Sequence, residues 1–198
     1  MRVIGITGGV GAGKSTVLAM LKELCRCELI IADDVAKSIM EKGGPLTGEA
    51  LRLFGSGAYL TDGTLNRSLI ASAIYGDAEL LKRWNGAVHP AVNREIRLRI
   101  ERARKSGLYD FIFVEAALLI ENGYGEICDE LWYVYADETA RRERLRVSRG
   151  YDDAKTESIM KNQLDDAQFR RHCDFVVDTG GGIENTRHIL QNRLEVYN

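Results

Sequence analysis

Five short apolar runs punctuate the chain: VIGIT at Val3–Thr7, LIIA at Leu29–Ala32, FIFVEA at Phe111–Ala116, LWYVYA at Leu131–Ala136 and FVVD at Phe175–Asp178. They are rich in β-branched and aromatic residues and mostly continuous instead of alternating with polar ones, the pattern of strands buried on both faces. Between them, apolar positions fall at helical spacing. Val17, Leu21 and Leu24 recur at i, i+4 and i+7; Val92, Ile96 and Ile100 repeat at intervals of four; Ile183, Thr186, Leu190 and Leu194 follow a similar rhythm. Strands alternating with helices predict crossover units and a five-stranded parallel sheet with helices on both faces.

The spacing of the runs is uneven. The interval between the second and third is too long for one crossover. Turn signals at Gly43-Gly44-Pro45 and Asp62-Gly63 divide it, with helical patterns around them. Residues 35–108 are therefore expected as a mainly helical insertion beside the sheet. A smaller excursion follows the fourth strand, in ETARRERLRVSRGYDDAKTESIMKNQ, so the expected division is 1–34, 109–138 and 171–198 for the core, with 35–108 and 139–170 as the two excursions.

The 198 residues suit one compact domain with such excursions, and a hydrophobic share of 45% supports a sizeable core. The 27 basic and 29 acidic residues leave a formal charge of −2, which argues against a dedicated nucleic-acid binder. Any anionic ligand must be met by local basic clusters. The opening MRVIGITGGV is broken by glycines and ended by Lys14, so no signal-peptide core forms, and no apolar stretch approaches the roughly 20 residues needed to span a bilayer. Cys25, Cys27, Cys128 and Cys173 make no CxxC pairing. Reduced thiols in a cytoplasmic protein are the expectation.

The strongest chemical signal is GGVGAGKST. Gly8, Gly13, Lys14 and Ser15 satisfy G-x-x-x-x-G-K-[ST], with a strand before and a helix after. Glycines let backbone N–H groups turn inward toward anionic oxygens, and the positive end of the following helix adds to the same cavity. The alternative, a glycine-rich turn with a solvated lysine, does not account for that flanking pattern. The expected nucleotide contacts are Gly8, Gly9, Gly11, Ala12, Gly13, Lys14, Ser15 and Thr16. Lys14 supplies charge for the β/γ-phosphates and the Ser15 hydroxyl a ligand for Mg²⁺.

A guanine-reading N/T-K-x-D motif is absent, and the one D-x-x-G match, at Asp178, follows the last strand, the wrong place for a nucleotide switch. At the end of the third strand, where an ATPase motor carries an aspartate, stands Glu115: a metal ligand, or equally an acid capping the following turn. Phosphoryl transfer to a small molecule needs a base, an acceptor compartment and positive charge that closes over the phosphates. Asp33, at the carboxyl end of the second strand, is the candidate base; its other reading is a helix N-cap, which Asp34 serves equally well. Among Arg141, Arg142, Arg144, Arg146 and Arg149, the spacing puts Arg142, Arg146 and Arg149 on one helical face. This run reads as a lid, or as a solvated helix balanced by Glu138 and Glu143. In the insertion, Arg67 is a candidate for an anionic part of the acceptor, or for pairing with a nearby acid. His89, before Pro90 at an expected helix start, reads first as a cap or packing residue and otherwise, with Arg67, as an acceptor-binding candidate; Trp84 and Trp132 read as packing residues.

The order of motifs resembles the dephospho-coenzyme A kinase family. The carrying stretches are GITGGVGAGKST from Gly5, IIADDVAK from Ile30, LFG at Leu53, DGTLNRSLI from Asp62, HPAV at His89, ALLIENG from Ala117 and CDFVVDTGG from Cys173. The phosphate loop is shared by many kinases; the succession as a whole is far more specific. The resemblance implies the P-loop nucleoside triphosphate hydrolase fold in three parts: nucleotide core, helical acceptor domain at 35–108 and lid at 139–170. It implies ATP- and Mg²⁺-dependent transfer of the γ-phosphoryl group to the 3′-hydroxyl of dephospho-CoA, the last step of coenzyme A synthesis. The family's catalytic aspartate falls on Asp33, its loop lysine on Lys14 and its DGxLxR arginine on Arg67. Three departures stand out. Ile31 replaces the first acid of an Asp-Ala-Asp, EAALLIE stands for VPLLFE, and Arg144 and Arg149 are one residue further apart than the family's lid arginines. The remaining alternatives are a kinase of the same architecture with another acceptor, and a non-catalytic ATP-binding protein.

Overall fold

The computed structural model describes residues 1–120 and 123–197, so Glu121 and Asn122 of the ALLIENG stretch lie outside the described residues. Each of the five apolar runs forms a strand: β1 (Arg2–Thr7), β2 (Cys27–Ile31), β3 (Phe111–Glu115), β4 (Glu130–Tyr135) and β5 (Phe175–Asp178). They form one sheet in the order β2-β3-β1-β4-β5, so the strand that runs into the glycine loop is central. β1 is parallel to both neighbours, with Ile6 opposite Glu115 of β3 and Thr7 opposite Tyr133 of β4. β5 continues the parallel pairing on β4, Tyr135 facing Asp178.

The chain divides into two compact units, Met1–Leu29 with the chain from Ala103 onward, and Ile30–Arg102. In the first, helices α1 (Lys14–Leu24) and α9 (Gly182–Glu195) cover one face of the sheet. Val17, Leu21, Leu190 and Leu194 meet Ile4, Ile6, Phe113, Trp132 and Val177 there. Trp132, fully buried, packs edge-on against Phe175 at 5.2 Å and beside Phe113 at 5.8 Å, joining β3, β4 and β5 through one aromatic row. The segment 139–170 belongs to this unit and forms α6 (Glu138–Arg149), α7 (Asp153–Lys161) and the start of α8 (Asp166–His172).

The second unit holds α2 (Ala32–Met40), α3 (Thr47–Phe54), α4 (Arg67–Ile74) and most of α5 (Ala78–Ser106). Asn66 caps α4 by accepting from the Leu69 N–H at 3.1 Å. Phe54 meets Trp84 edge-to-face at 5.2 Å. The sequence reading started a helix near Pro90; α5 instead begins at Ala78 and carries Pro90 in its interior. Pro90 forfeits one backbone bond and crowds the carbonyl of Gly86, at a cost of about 3 kcal/mol. Trp84 on one side of it and Val92, Ile96 and Ile100 on the other are all buried, and this apolar stripe carries the helix through.

At the amino end of β4, the half-buried Glu130 carboxylate collects the end of the chain. Its Oε2 accepts from Arg193 Nη2 at 2.6 Å, the Tyr197 hydroxyl at 2.5 Å and Trp132 Nε1 at 3.1 Å. Burial alone would raise the Glu130 pKa, but these donors overcome it and hold the carboxyl below its ordinary 4.5. A lowered carboxylate contributes stability that is present above the unfolded value and lost as pH falls through the folded one. Wild-type melting temperature should therefore fall more steeply below about pH 4.5 than that of Glu130→Gln, and Glu130→Ala should cost about 2 kcal/mol at pH 7 in urea unfolding.

Candidate active site

Between the last residue of β1 and the first of α1, the chain turns through Gly8–Gly13. Gly8 has φ +146, and a side chain there would run into the main-chain carbonyl of Val134 on β4. Gly13, at φ +95, caps α1 in the left-handed region. The loop thus lies close to β4, and the first N–H groups of an eleven-residue helix open into it.

Lys14 folds back over this turn. Its Nζ donates to the Gly8 carbonyl at 2.7 Å and stands 3.9 Å from Glu115 Oε1 at the end of β3. Both side chains are largely buried, 16% and 15% exposed, so the pair is poorly screened and the lysine charge is concentrated over the loop. Ser15 and Thr16 stay exposed in the first turn of α1. The structure therefore brings together Gly8–Thr16, Lys14 and Glu115.

Two arginines of α6 brace the loop from outside. Arg141 Nε donates to the Val10 carbonyl at 2.9 Å, and its Nη2 donates to Gln163 Oε1, also at 2.9 Å. The same Gln163 oxygen accepts from the Val10 N–H at 3.1 Å. A side chain on Gly9 would meet the Arg141 guanidinium, whose burial lowers its pKa from the ordinary value. Arg144 donates to the Ala12 carbonyl at 3.3 Å and to the Thr179 hydroxyl and carbonyl at 2.8 Å each. Thr179, buried just after β5, makes its own hydroxyl bond to the Ala12 carbonyl at 2.8 Å.

Of the arginines expected on the lid, Arg144 is thus at the loop. Arg142 pairs with Glu138 at 2.7 Å, Arg146 pairs with Glu143 at 2.8 Å, and Arg149 lies over the Tyr151 ring at 5.9 Å. The spacing of 142, 146 and 149 does define one helical face, but Arg142 and Arg146 on it have acid partners within their own helix. The face turned to the loop carries Arg141 and Arg144, three apart. Gln163 and Thr179 were not among the expected site residues, and Arg141 stood in the arginine run but off the face expected to carry the charge. A polar side chain that grips backbone leaves no spacing signature, and the closest hint was the small side of Gly9.

The remaining expected residues belong to the second unit. Asp33 is the second residue of α2 and exposed. The cap position is Ile31, without a side-chain bond, and Asp34 pairs with Lys37 at 2.8 Å, so Asp33 does not serve as the cap. Arg67 is the exposed first residue of α4, and His89 is half-buried within α5. Among the described residues no group of three or more His, Cys, Asp or Glu side chains is placed to hold a metal, and no helix is long and apolar enough to cross a membrane.

A central strand that enters a glycine cradle closed by lysine, on a parallel sheet with helices on both faces, defines the P-loop kinase class. A family model described as dephospho-CoA kinase matches residues 2–185. The chain belongs to the dephospho-CoA kinase family. It is 36% identical to the dephospho-CoA kinase of Leifsonia xyli subsp. xyli over 94% of this chain and 93% of that one. To the enzyme of Carboxydothermus hydrogenoformans it is 33% identical, over 98% and 93%. Among solved structures, dephospho-CoA kinase from Campylobacter jejuni matches with a TM-score of 0.73 at 17% identity over 98% and 95% of the two chains. Shikimate kinase from Acinetobacter baumannii in complex with shikimate matches at 0.55 and 16% identity, over 100% and 93%. These two structures show the fold.

Gly8→Ala should cost about 2 kcal/mol of stability, read by thermal unfolding, and should abolish the rise in melting temperature that ATP gives the wild type.

Proposed function

We propose that this enzyme phosphorylates the 3′-hydroxyl of dephospho-CoA with ATP, that Gly8–Ser15 hold the triphosphate, and that Asp33 is the base. The observation that carries the phosphate site is Lys14, the first residue of α1, whose ammonium is held back against the Gly8 carbonyl of the loop. An incoming γ-phosphate competes with the Gly8 carbonyl and Glu115 for that ammonium, so the lysine is positioned before nucleotide arrives.

In the transfer, the acceptor oxygen forms its bond to the γ-phosphorus as the bond to the bridging oxygen breaks, and ADP leaves with that electron pair. The proton of the acceptor hydroxyl passes to the Asp33 carboxylate. Asp33 suits this role because it follows β2 by two residues, and the carboxyl ends of parallel strands form the ligand edge of such sheets. Its exposure, and its freedom from the cap position, leave the carboxylate available. Lys14 offsets charge on the phosphates while the group moves. Ser15 and Glu115 offer hard oxygen donors that would hold Mg²⁺, which would offset the negative charge of the phosphates. Arg67 is assigned to an anionic group of the acceptor, and Arg142, Arg146 and Arg149 to positive charge on the 139–170 segment. The unbridged thiols of Cys25, Cys27, Cys128 and Cys173 support a reducing compartment, the cytoplasm.

ADP release measured across a panel of small hydroxyl acceptors should be stimulated by dephospho-CoA far above the others; equal stimulation by another acceptor would overturn the substrate assignment. Asp33→Asn should lower kcat about a thousandfold while ATP binding is kept. Lys14→Ala should raise the ATP KM about tenfold and lower turnover as well. Near-normal turnover in Asp33→Asn would remove it as the base.

A further inference from the structure

The grip on Val10 has no place in the transfer described above, and it is unusually complete. One residue of the loop, Val10, has its N–H held by Gln163 Oε1 at 3.1 Å and its carbonyl by Arg141 Nε at 2.9 Å, so two successive peptide groups are fixed. The two gripping side chains are tied to each other at 2.9 Å through the same Gln163 oxygen. A loop with glycine at positions 8, 9, 11 and 13 has many conformations of similar energy, and each residue fixed costs about 1–2 kcal/mol of backbone entropy. If that ordering were left to ATP, it would be subtracted from the affinity for the triphosphate.

We infer that Arg141 and Gln163 are positioning residues that hold the phosphate loop in its nucleotide-accepting shape through the Val10 main chain. Arg141 lies on α6 and Gln163 just beyond α7, so two parts of the 139–170 segment converge on one residue of the loop. Any displacement of that segment is transmitted to the loop backbone. The chemistry of each residue fits the task. Arg141 presents donors from two nitrogens of one rigid plane, which a lysine cannot. Gln163 brings an acceptor that serves two donors while adding no negative charge beside a site for triphosphate. Gly9 leaves room for the guanidinium to lie against the chain.

The inference rests on Gly8–Ser15 being the triphosphate site, and its test is separable from that reading. Gln163→Met keeps the length of the side chain and removes the acceptor; Gln163→Glu keeps the acceptor. With the full-length enzyme, Gln163→Met should raise the ATP KM about tenfold and leave the dephospho-CoA KM within about twofold. Gln163→Glu should recover to within about threefold of wild type, since its carboxylate still serves both donors. In the nucleotide-free protein, the Val10 amide should exchange slowly with deuterium in the wild type and fast in Gln163→Met. Arg141→Lys should give the same selective rise in ATP KM, and it decides the matter if Gln163→Met fails to fold. An unchanged ATP KM, equal rises for both substrates, or a Val10 amide that stays protected would overturn the inference. If Lys14→Ala weakens ATP binding and Gln163→Met does not, the loop assignment stands and the positioning role falls. If Lys14→Ala has no effect on the ATP KM, the loop assignment itself has failed.

Discussion

Where β1 ends, the chain must leave the centre of the sheet at once, and it does so against the carbonyl of Val134 on the neighbouring strand. That close approach admits no side chain at position 8, and much of the core unit follows from it. The turn brings Lys14 back over Gly8, starts α1 at the loop, and aims the helix at the buried Ile4 and Ile6 through Val17 and Leu21. A rigid central strand flanked by two parallel partners is what makes such a tight exit reproducible. The mobility that glycine brings is then removed from outside, by side chains of α6, the Gln163 segment and Thr179.

Charge in this enzyme is a local matter. The chain as a whole is close to neutral, yet Lys14, Arg141 and Arg144 converge on six residues of loop. Each is held by oxygen acceptors on main chain, amide or hydroxyl groups, and Glu115 stands beside Lys14 as the counter-charge. Neutral acceptors leave most of the positive potential intact for a ligand to use. By contrast Arg142 and Arg146 spend theirs on Glu138 and Glu143 at the surface, where such pairs contribute little.

The fold was largely legible in the chain. Continuous apolar runs located the five strands to within two residues, because strands buried on both faces admit few polar side chains. The phosphate loop was legible because its chemistry needs glycines at fixed spacing between strand and helix. The reach of α5 was not, since Pro90 is a strong local signal for a helix start and only long-range packing of Trp84, Val92 and Ile96 overrules it. For α6, periodicity tells which arginines align but not which side faces the loop. Here the inward side is fixed by Leu145, which is buried and lies against Gly11. Arg141, Gln163 and Thr179 act on main-chain atoms far away in sequence, and such partnerships exist only once the chain has folded.

The division of the chain has a bearing on how the protein is made. Ile30–Arg102 is continuous and emerges from the ribosome as one piece, so its contacts can close while synthesis goes on. The nucleotide unit has no such convenience. Its central strand is synthesised first, but β3 and β4 arrive only after the whole insertion, and Leu190 and Leu194 of α9 complete the core last of all. Until β3 and β4 emerge, β1 carries two unpaired edges, and until α9 follows, its apolar face is only partly covered, a state in which a nascent chain is prone to aggregate.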